Sequence, residues 1–244
     1  MPKVTTKEDL KNFLLRKEIL VDVTPKNYGR RYAVSGLSPY EIAYEIKSFS
    51  YFSHYSAVFL HGLTINIPKQ IYVNVEQSKK EEKNNVLKQV DIDRSFSKPM
   101  RKTKNLIEFG HYKIFFINGK FLDQLGVTNM KSEGGEIPVT DMERTLIDIA
   151  IRPSYSGGIS EVIGAFKAAR GKISVNKMSG MLQRMNYIYP YQQAIGFYLE
   201  KAGYNKNVVK VFERARTEHR FYLDYDMKNI QLNSHWNLYV PEGL

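Results

Sequence analysis

Apolar positions along this chain recur at two different intervals, and the changes from one to the other divide it into helices and strands. Leu10, Phe13, Leu14 and Lys17 follow helical spacing behind Thr6, which predicts a capped helix over Lys7 to Lys17. Ile19 to Thr24 and Arg31 to Val34 then alternate, around the turn-forming and basic Pro25-Lys26-Asn27-Tyr28-Gly29-Arg30, and predict a hairpin. Ser38-Pro39 opens a second helix with a cap and an N1 proline, and Ile42, Ala43, Ile46 and Phe49 make its apolar stripe. A third helix is expected inside Tyr51 to Thr64. Ser53 offers a hydroxyl to a first-turn N–H, Gly62 ends the helix, and Tyr55, Val58, Phe59 and Leu63 share one face.

Beyond Pro68 the period shortens. Gln70 to Glu76 reads as a strand with Ile71, Val73 and Val75 on one side. Residues 77 to 105 are the most polar section, rich in lysine and arginine, with one strand expected near Asn85 to Val90. Leu106 to Phe109 and His111 to Ile117 are strand candidates; the near-continuous apolar run of the second suits a central strand. Phe121 to Leu125 reads as a short connection, and Ile137-Pro138-Val139 as an edge segment. Thr140 and Glu143 have capping-box spacing for a helix that Arg152-Pro153 stops near Ile151. Helical patterns follow at Ile159 to Arg170, Val175 to Asn186, Tyr191 to Ala202 and Asn207 to Glu218, with Gly171 and Gly203 as left-handed ends. Met178, Met181, Leu182 and Met185 form a core stripe, and strands are expected at Phe221 to Tyr225 and Trp236 to Val240. The fold class that results is α+β. A short, partial winged-helix amino terminus at 1–36 precedes a mixed-sheet domain flanked by helices at 37–244.

Composition narrows the chemistry. With no cysteine among 244 residues, disulfides, thiolate catalysis and cysteine-ligated zinc are excluded together. No apolar run reaches the roughly 20 residues needed to span a bilayer, and the amino terminus lacks an apolar signal core, so a cytoplasmic location is expected and a membrane partner is not. A net charge of +11 makes a polyanion the first partner to consider, since neutralising phosphates releases counterions. A basic helix followed by a basic-tipped hairpin is the second half of a winged helix, in which the helix enters the major groove and the wing meets the backbone. Lys7, Lys11, Arg16, Lys17, Lys26, Arg30 and Arg31 are therefore the candidate DNA contacts. Lys79 to Lys104 reads either as a solvated loop or as a second phosphate-binding surface.

Catalytic patterns are sparse. His54 and His61 lie seven apart, roughly 10 Å of helix rise, too far to share one ion. The competing reading is that both rings fill a polar edge of the core and donate to carbonyls. Asp224, Asp226 and Lys228 at a strand end have the composition of a metal-dependent nuclease site, although a charged turn gives the same letters. Arg144 and Asp148, four apart, read as an ion pair within their helix. No cofactor, metal or catalytic residue is assigned.

The Ser-x-x-Ser-Ala-x-x-x-His-Gly-Leu pattern within Ser53 to Thr64 is followed by Thr-Asp-x-Glu-Arg-Thr-Leu-x-Asp ahead of Ile149. Together with the stretches Ala194 to Gly203 and Trp236 to Pro241, they resemble the AbiEi family of type IV antitoxins over roughly Ser38 to Leu244. The resemblance implies a transcriptional regulator of a phage-defence system that binds inverted repeats at its own promoter. It further implies that the protein counters a nucleotidyltransferase-type toxin without a stable complex. Ser53, Ser56, His61 and Gly62 belong to the first motif and Glu143, Arg144 and Asp148 to the second; their physical reading is structural. The pattern departs from the family at the DNA-binding end, where 36 residues cannot hold three helices and a wing. Three readings stay open there: the helix and hairpin suffice, with a homodimer as one arrangement; the protein no longer represses; or the start lies upstream. The alternatives in function are a nuclease-like nucleic-acid enzyme and a protein interaction module that does not bind DNA.

Overall fold

Ile71, Tyr72, Val73 and Asn74 are consecutive and all buried. Because successive side chains of a strand face opposite ways, this strand must lie in a sheet covered on both sides. The computed structural model describes residues 6–24, 29–47, 49–80, 86–132 and 134–244. Its elements run α1 (Lys7–Arg16), β1 (Leu20–Asp22), β2 (Tyr32–Val34), α2 (Pro39–Ile46), β3 (Ser50–Phe52), α3 (His54–Leu60), β4 (Gln70–Glu76) and α4 (Gln89–Phe96). They continue with β5 (Leu106–Phe109), β6 (Tyr112–Gly119), β7 (Val127–Ser132), β8 (Gly135–Thr140), α5 (Met142–Ile151) and α6 (Ile159–Ala168). The last are α7 (Val175–Met185), α8 (Tyr191–Lys201), α9 (Lys206–Arg214), β9 (Phe221–Tyr222), β10 (Ile230–Asn233) and β11 (Leu238–Pro241).

The fold is α+β. Six strands form one mixed sheet in the order β5-β6-β4-β3-β8-β7, in which β4 runs parallel to β6 and β3 parallel to β8. On one face Ile71, Val73, Ile114, Phe116 and Val139 pack against Ile42, Ala43 and Ile46 of α2. The β1–β2 hairpin adds Val21, Val23 and Ala33 to the same core, which anchors it. Residues of opposite parity, Tyr72, Phe115 and Ile117, meet Tyr155 on the other face. A larger core lies among α5 to α8, α9 and the small β10-β11-β9 sheet, around the fully buried Trp236. Helix α5 joins the two regions. Every residue from Glu143 to Ile151 is buried, so this short helix has no solvated face and its polar residues need partners inside the protein.

Several expectations are corrected. No strand forms at 86–88, which are irregular and lead into α4, whose buried side is Ile92 and Phe96, four apart; residues 81–85 lie outside the described set. Phe49 is not in the α2 stripe: the helix ends at Ile46, and Phe49 sits in a turn at φ 56° with its ring 87% exposed. Ser53 is the N-cap of α3 but makes no side-chain cap bond, since its hydroxyl faces His54. For α5 the cap is Asp141, whose carboxylate accepts from the Arg144 N–H at 2.8 Å, one residue later than expected. Thr140 is withdrawn from capping by the hydroxyl of Thr145, 2.8 Å away. The Ile137-Pro138-Val139 segment is an inner strand between β7 and β3. It meets β3 at the single position Phe52–Val139, so Pro138 breaks no ladder on that side.

Candidate nucleic-acid interface and the motif framework

The amino-terminal helix is fixed at its start by a reciprocal cap. Thr6 accepts from Asp9 N–H at 3.1 Å while the Asp9 carboxylate accepts from Thr6 N–H at 3.1 Å, a reciprocal box. None of its side chains is buried, so the helix keeps its polar face in solvent. Lys7 and Arg16 are exposed on it and Lys17 at its C-cap, and Arg30 and Arg31 are exposed just ahead of β2. Lys11 is differently employed: its ammonium pairs with Glu8 and lies 5.4 Å from the ring centre of Tyr32, tying α1 to β2. Lys26 lies outside the described residues. The approach to the turn is braced by Thr24, whose hydroxyl accepts from Arg31 N–H at 2.9 Å. Asp22 accepts from the Thr24 N–H at 2.8 Å, and the Thr24 hydrogen bonds hold its carboxyl below the usual range.

Where the hairpin meets the sheet, a groove of about 390 Å³ opens between Tyr32, Ile42 and Ile137, with the Glu41 carboxylate in its wall. Glu41 is fully engaged by the protein. It accepts from Ser38 N–H and Ser132 Oγ, each at 2.7 Å, and from Gly134 N–H. The Ser132 hydroxyl is the main cause of its lowered carboxyl pKa.

The two motifs that carry the family resemblance come together in space. His61 Nε2 donates to the Thr140 carbonyl at 2.6 Å, across 79 positions of sequence. Ser56 Oγ accepts from Tyr72 N–H at 2.7 Å and pins α3 to β4; Gly62 takes φ 63° just beyond the helix. Ser53 Oγ and His54 Nδ1 are 2.9 Å apart. His54 is buried against Tyr155, 5.6 Å between ring centres, and holds the left-handed φ of 52°. Burial first, then the charges of Arg152 and Arg144, push its imidazole pKa well below the ordinary value.

In the second motif Glu143 accepts from Ser174 N–H at 2.9 Å and from Lys177 Nζ at 3.0 Å. Burial pushes its carboxyl pKa up, but the Ser174 N–H and the Lys177 ammonium bring it below the usual value. Arg144 and Asp148 are 3% and 7% exposed and joined at 2.9 Å. The guanidinium also donates to the Leu125 carbonyl at 2.5 Å and to Tyr51 Oη at 3.3 Å. Tyr51 in turn donates to Glu76 at 2.9 Å, and Glu76 accepts from Leu122 N–H at 3.0 Å and Gln124 N–H at 3.2 Å. Burial opposes both charges. For Arg144 the field of Asp148 overcomes it and the guanidinium pKa rises; for Asp148 burial outweighs Arg144 and the carboxyl is pushed up. This network ties β3, β4, the 120–126 connection and α5 together. Its Tyr51 and Glu76 members, and Asn74, whose amide donates to Tyr51 Oη, were not singled out in sequence, although polar letters inside apolar strands were the available signal. Ser53, Ser56, His61, Glu143, Arg144 and Asp148 thus all have polar partners within the protein.

Asp224, Asp226 and Lys228 do not converge as a triad. Asp226 pairs with Lys228 at 2.7 Å near the surface, while Asp224 is half-buried, its carboxyl pKa raised by desolvation and its Oδ1 accepting from Tyr225 N–H at 2.8 Å. Among the described residues no group of three or more His, Asp or Glu stands where it could hold a metal ion. Nor is any helix among them long and apolar enough to cross a membrane. In the basic section Lys79, Lys80, Lys88, Lys98, Arg101, Lys102 and Lys104 are exposed, and its cations at 94–101 meet residues from far along the chain.

No family model and no curated protein matches this chain. Its architecture is similar to that in the crystal structure of the RV2827C protein from Mycobacterium tuberculosis, with a TM-score of 0.63 over 97% of this chain and 80% of that one. At 12% identity that likeness establishes a shared fold and nothing further.

Proposed function

We propose that this protein is a non-enzymatic, antitoxin-like regulator of the AbiEi type, acting in the cytoplasm within a type IV toxin–antitoxin system. In this reading α1 and the β1–β2 hairpin bind DNA at the gene's own promoter, and the remainder counters a nucleotidyltransferase-type toxin. The observation that carries it is the meeting of the two family motifs through His61 and Thr140. Contact between them is what a domain built on both motifs requires. The exposed cations Lys7, Arg16, Lys17, Arg30 and Arg31 support DNA contact, since they lie on or just after one helix and just ahead of β2 and phosphates are bound chiefly by such side chains.

Two assays test the proposal. A reporter driven by the gene's upstream DNA is repressed by the wild-type protein and released by the Arg30→Ala/Arg31→Ala double variant. Co-expression with a nucleotidyltransferase encoded beside the gene restores growth. Failure of growth rescue by a folded, expressed protein rejects the antitoxin role, and unchanged repression by the double variant rejects the hairpin contact.

A further inference from the structure

A cavity of about 420 Å³ lies between the end of α4, the turn that follows it, the end of α5 and the two connections that flank α8 and β9. Arg94, Lys98, Arg101 and Arg152 line it together with Tyr189 and Tyr225, and among the described residues no carboxylate does. Four cations gathered around one concavity repel one another unless an anion is present. Their partners within the protein are few. Arg94 has a long contact of 3.8 Å with Asp91 at the surface, and Lys98 and Arg101 have no ion pair among the described residues. Arg152 is the more telling case, because it is half-buried. Its guanidinium stands 5.9 Å from the ring centre of Tyr155 and makes no hydrogen bond among the described residues, leaving its planar set of donors free. Such a fork suits phosphate.

The wall behind the cations is aromatic and fixed. Tyr189 donates to Ser95 Oγ at 3.0 Å, and its ring meets Phe96 edge-on at 5.3 Å. Tyr225 stacks on Phe96 at 4.2 Å. The neighbouring backbone is tied in as well, Asp226 N–H donating to the Phe96 carbonyl at 2.8 Å. A cavity of this volume is at the small end of ligand sites and fits one nucleotide unit better than a dinucleotide.

We propose that this pocket binds a nucleotide unit, with its phosphates held by Arg94, Lys98, Arg101 and Arg152 and its base against Tyr189 and Tyr225. Phosphate with an aromatic base is the chemistry shared by a free nucleoside polyphosphate and by one residue of a single strand. The site stands apart from α1 and the hairpin, and holds whether or not these bind DNA.

The test is equilibrium binding of a fluorescent ATP analogue to the full chain, with tripolyphosphate and a short oligothymidylate as competitors. Saturable binding is expected, weakened at least about tenfold by Arg152→Gln and equally by Lys98→Ala/Arg101→Ala, whose side chains are exposed and carry no fold. Arg30→Ala/Arg31→Ala leaves it unchanged. Thermal unfolding accompanies each variant, and if Arg152→Gln proves unstable the surface double variant decides. Competition by oligothymidylate with the same sensitivity to the variants supports the site as a reader of single strands; its failure to compete supports a free nucleotide. No saturable binding, or binding indifferent to both pocket variants, overturns the proposal, and equal affinity for tripolyphosphate and nucleotide overturns the tyrosine contact.

Discussion

Replacing Arg144 by methionine removes a charge that the interior cannot replace. The substitution cuts the 2.9 Å bond to Asp148 and the donations to the Leu125 carbonyl and Tyr51, and leaves a 7% exposed carboxylate without its cation. Removing one partner of a buried pair costs about 3–5 kcal/mol, far more than the few tenths of a solvated pair within a helix. With a urea dependence of about 3 kcal/mol per molar, that is a midpoint lower by roughly 1–1.7 M. Asp148 will meet the loss by holding a proton. Its folded pKa, already raised by burial, rises further above the unfolded value, so the stability of the variant is fullest below the unfolded pKa and falls as pH rises through the folded one. The deficit against wild type is therefore smaller at acid pH. Urea titrations followed by the fluorescence of Trp236, the sole tryptophan and fully buried, read the effect directly. Arg144→Met/Asp148→Leu should recover most of the loss, since an apolar pair of similar volume replaces both charges. A deficit under about 1 kcal/mol in the single variant, or a double variant no better than the single, would falsify the claim that this pair is a buried strut.

Gly196→Ala is expected to cost about 3 kcal/mol, at the upper end for overpacking, because a Cβ there clashes with the ring of Trp236 at 2.2 Å, and the fully buried ring has no room to yield. Its emission will shift to the red, and native-like emission with unchanged midpoint contradicts the packing. His54 is held neutral by burial, with a folded pKa below the unfolded one, so it contributes stability above the unfolded value that is lost as pH falls. His54→Asn, which tolerates the positive φ, should flatten the acid side of the stability profile by up to about 1.4 kcal/mol per pH unit; an identical slope in wild type and variant removes His54 as the cause. Ser56→Ala deprives the buried Tyr72 N–H of its acceptor at 2.7 Å and should cost about 1–3 kcal/mol by the same titration. A loss no larger than that of an exposed serine counts against the α3–β4 tie.

Local signals account for much of this fold. The strand Gln70–Glu76 was legible because Ile71, Val73 and Val75 alternate between turns, and the later helices because Gly171 and Gly203 stop runs of helical period. The helix at 89–96 was hidden, since only Ile92 and Phe96 mark its buried side within a charged stretch. β7 was hidden for a similar reason: Thr128, Asn129, Lys131 and Ser132 leave it no apolar face. At Thr140-Asp141 two adjacent residues can both cap, and the choice fell to Asp141 because the Thr145 hydroxyl, inside the fold, occupies Thr140. The spacing of the motif residues was legible, yet their burial and the part played by Tyr51 and Glu76 depend on contacts across the sheet. The pocket is the extreme case. Its cations and tyrosines come from four separate places in the chain, and no local spacing brings them together.

The central functional claim is that the exposed basic helix and hairpin meet the phosphates of DNA. It is tested most directly by the slope of log affinity against log salt on the gene's own upstream duplex. Wild type is expected to give a steep negative slope, made shallower by about 2 in Arg30→Ala/Arg31→Ala as two phosphate contacts are lost. A slope near zero, or one identical in the double variant, contradicts it.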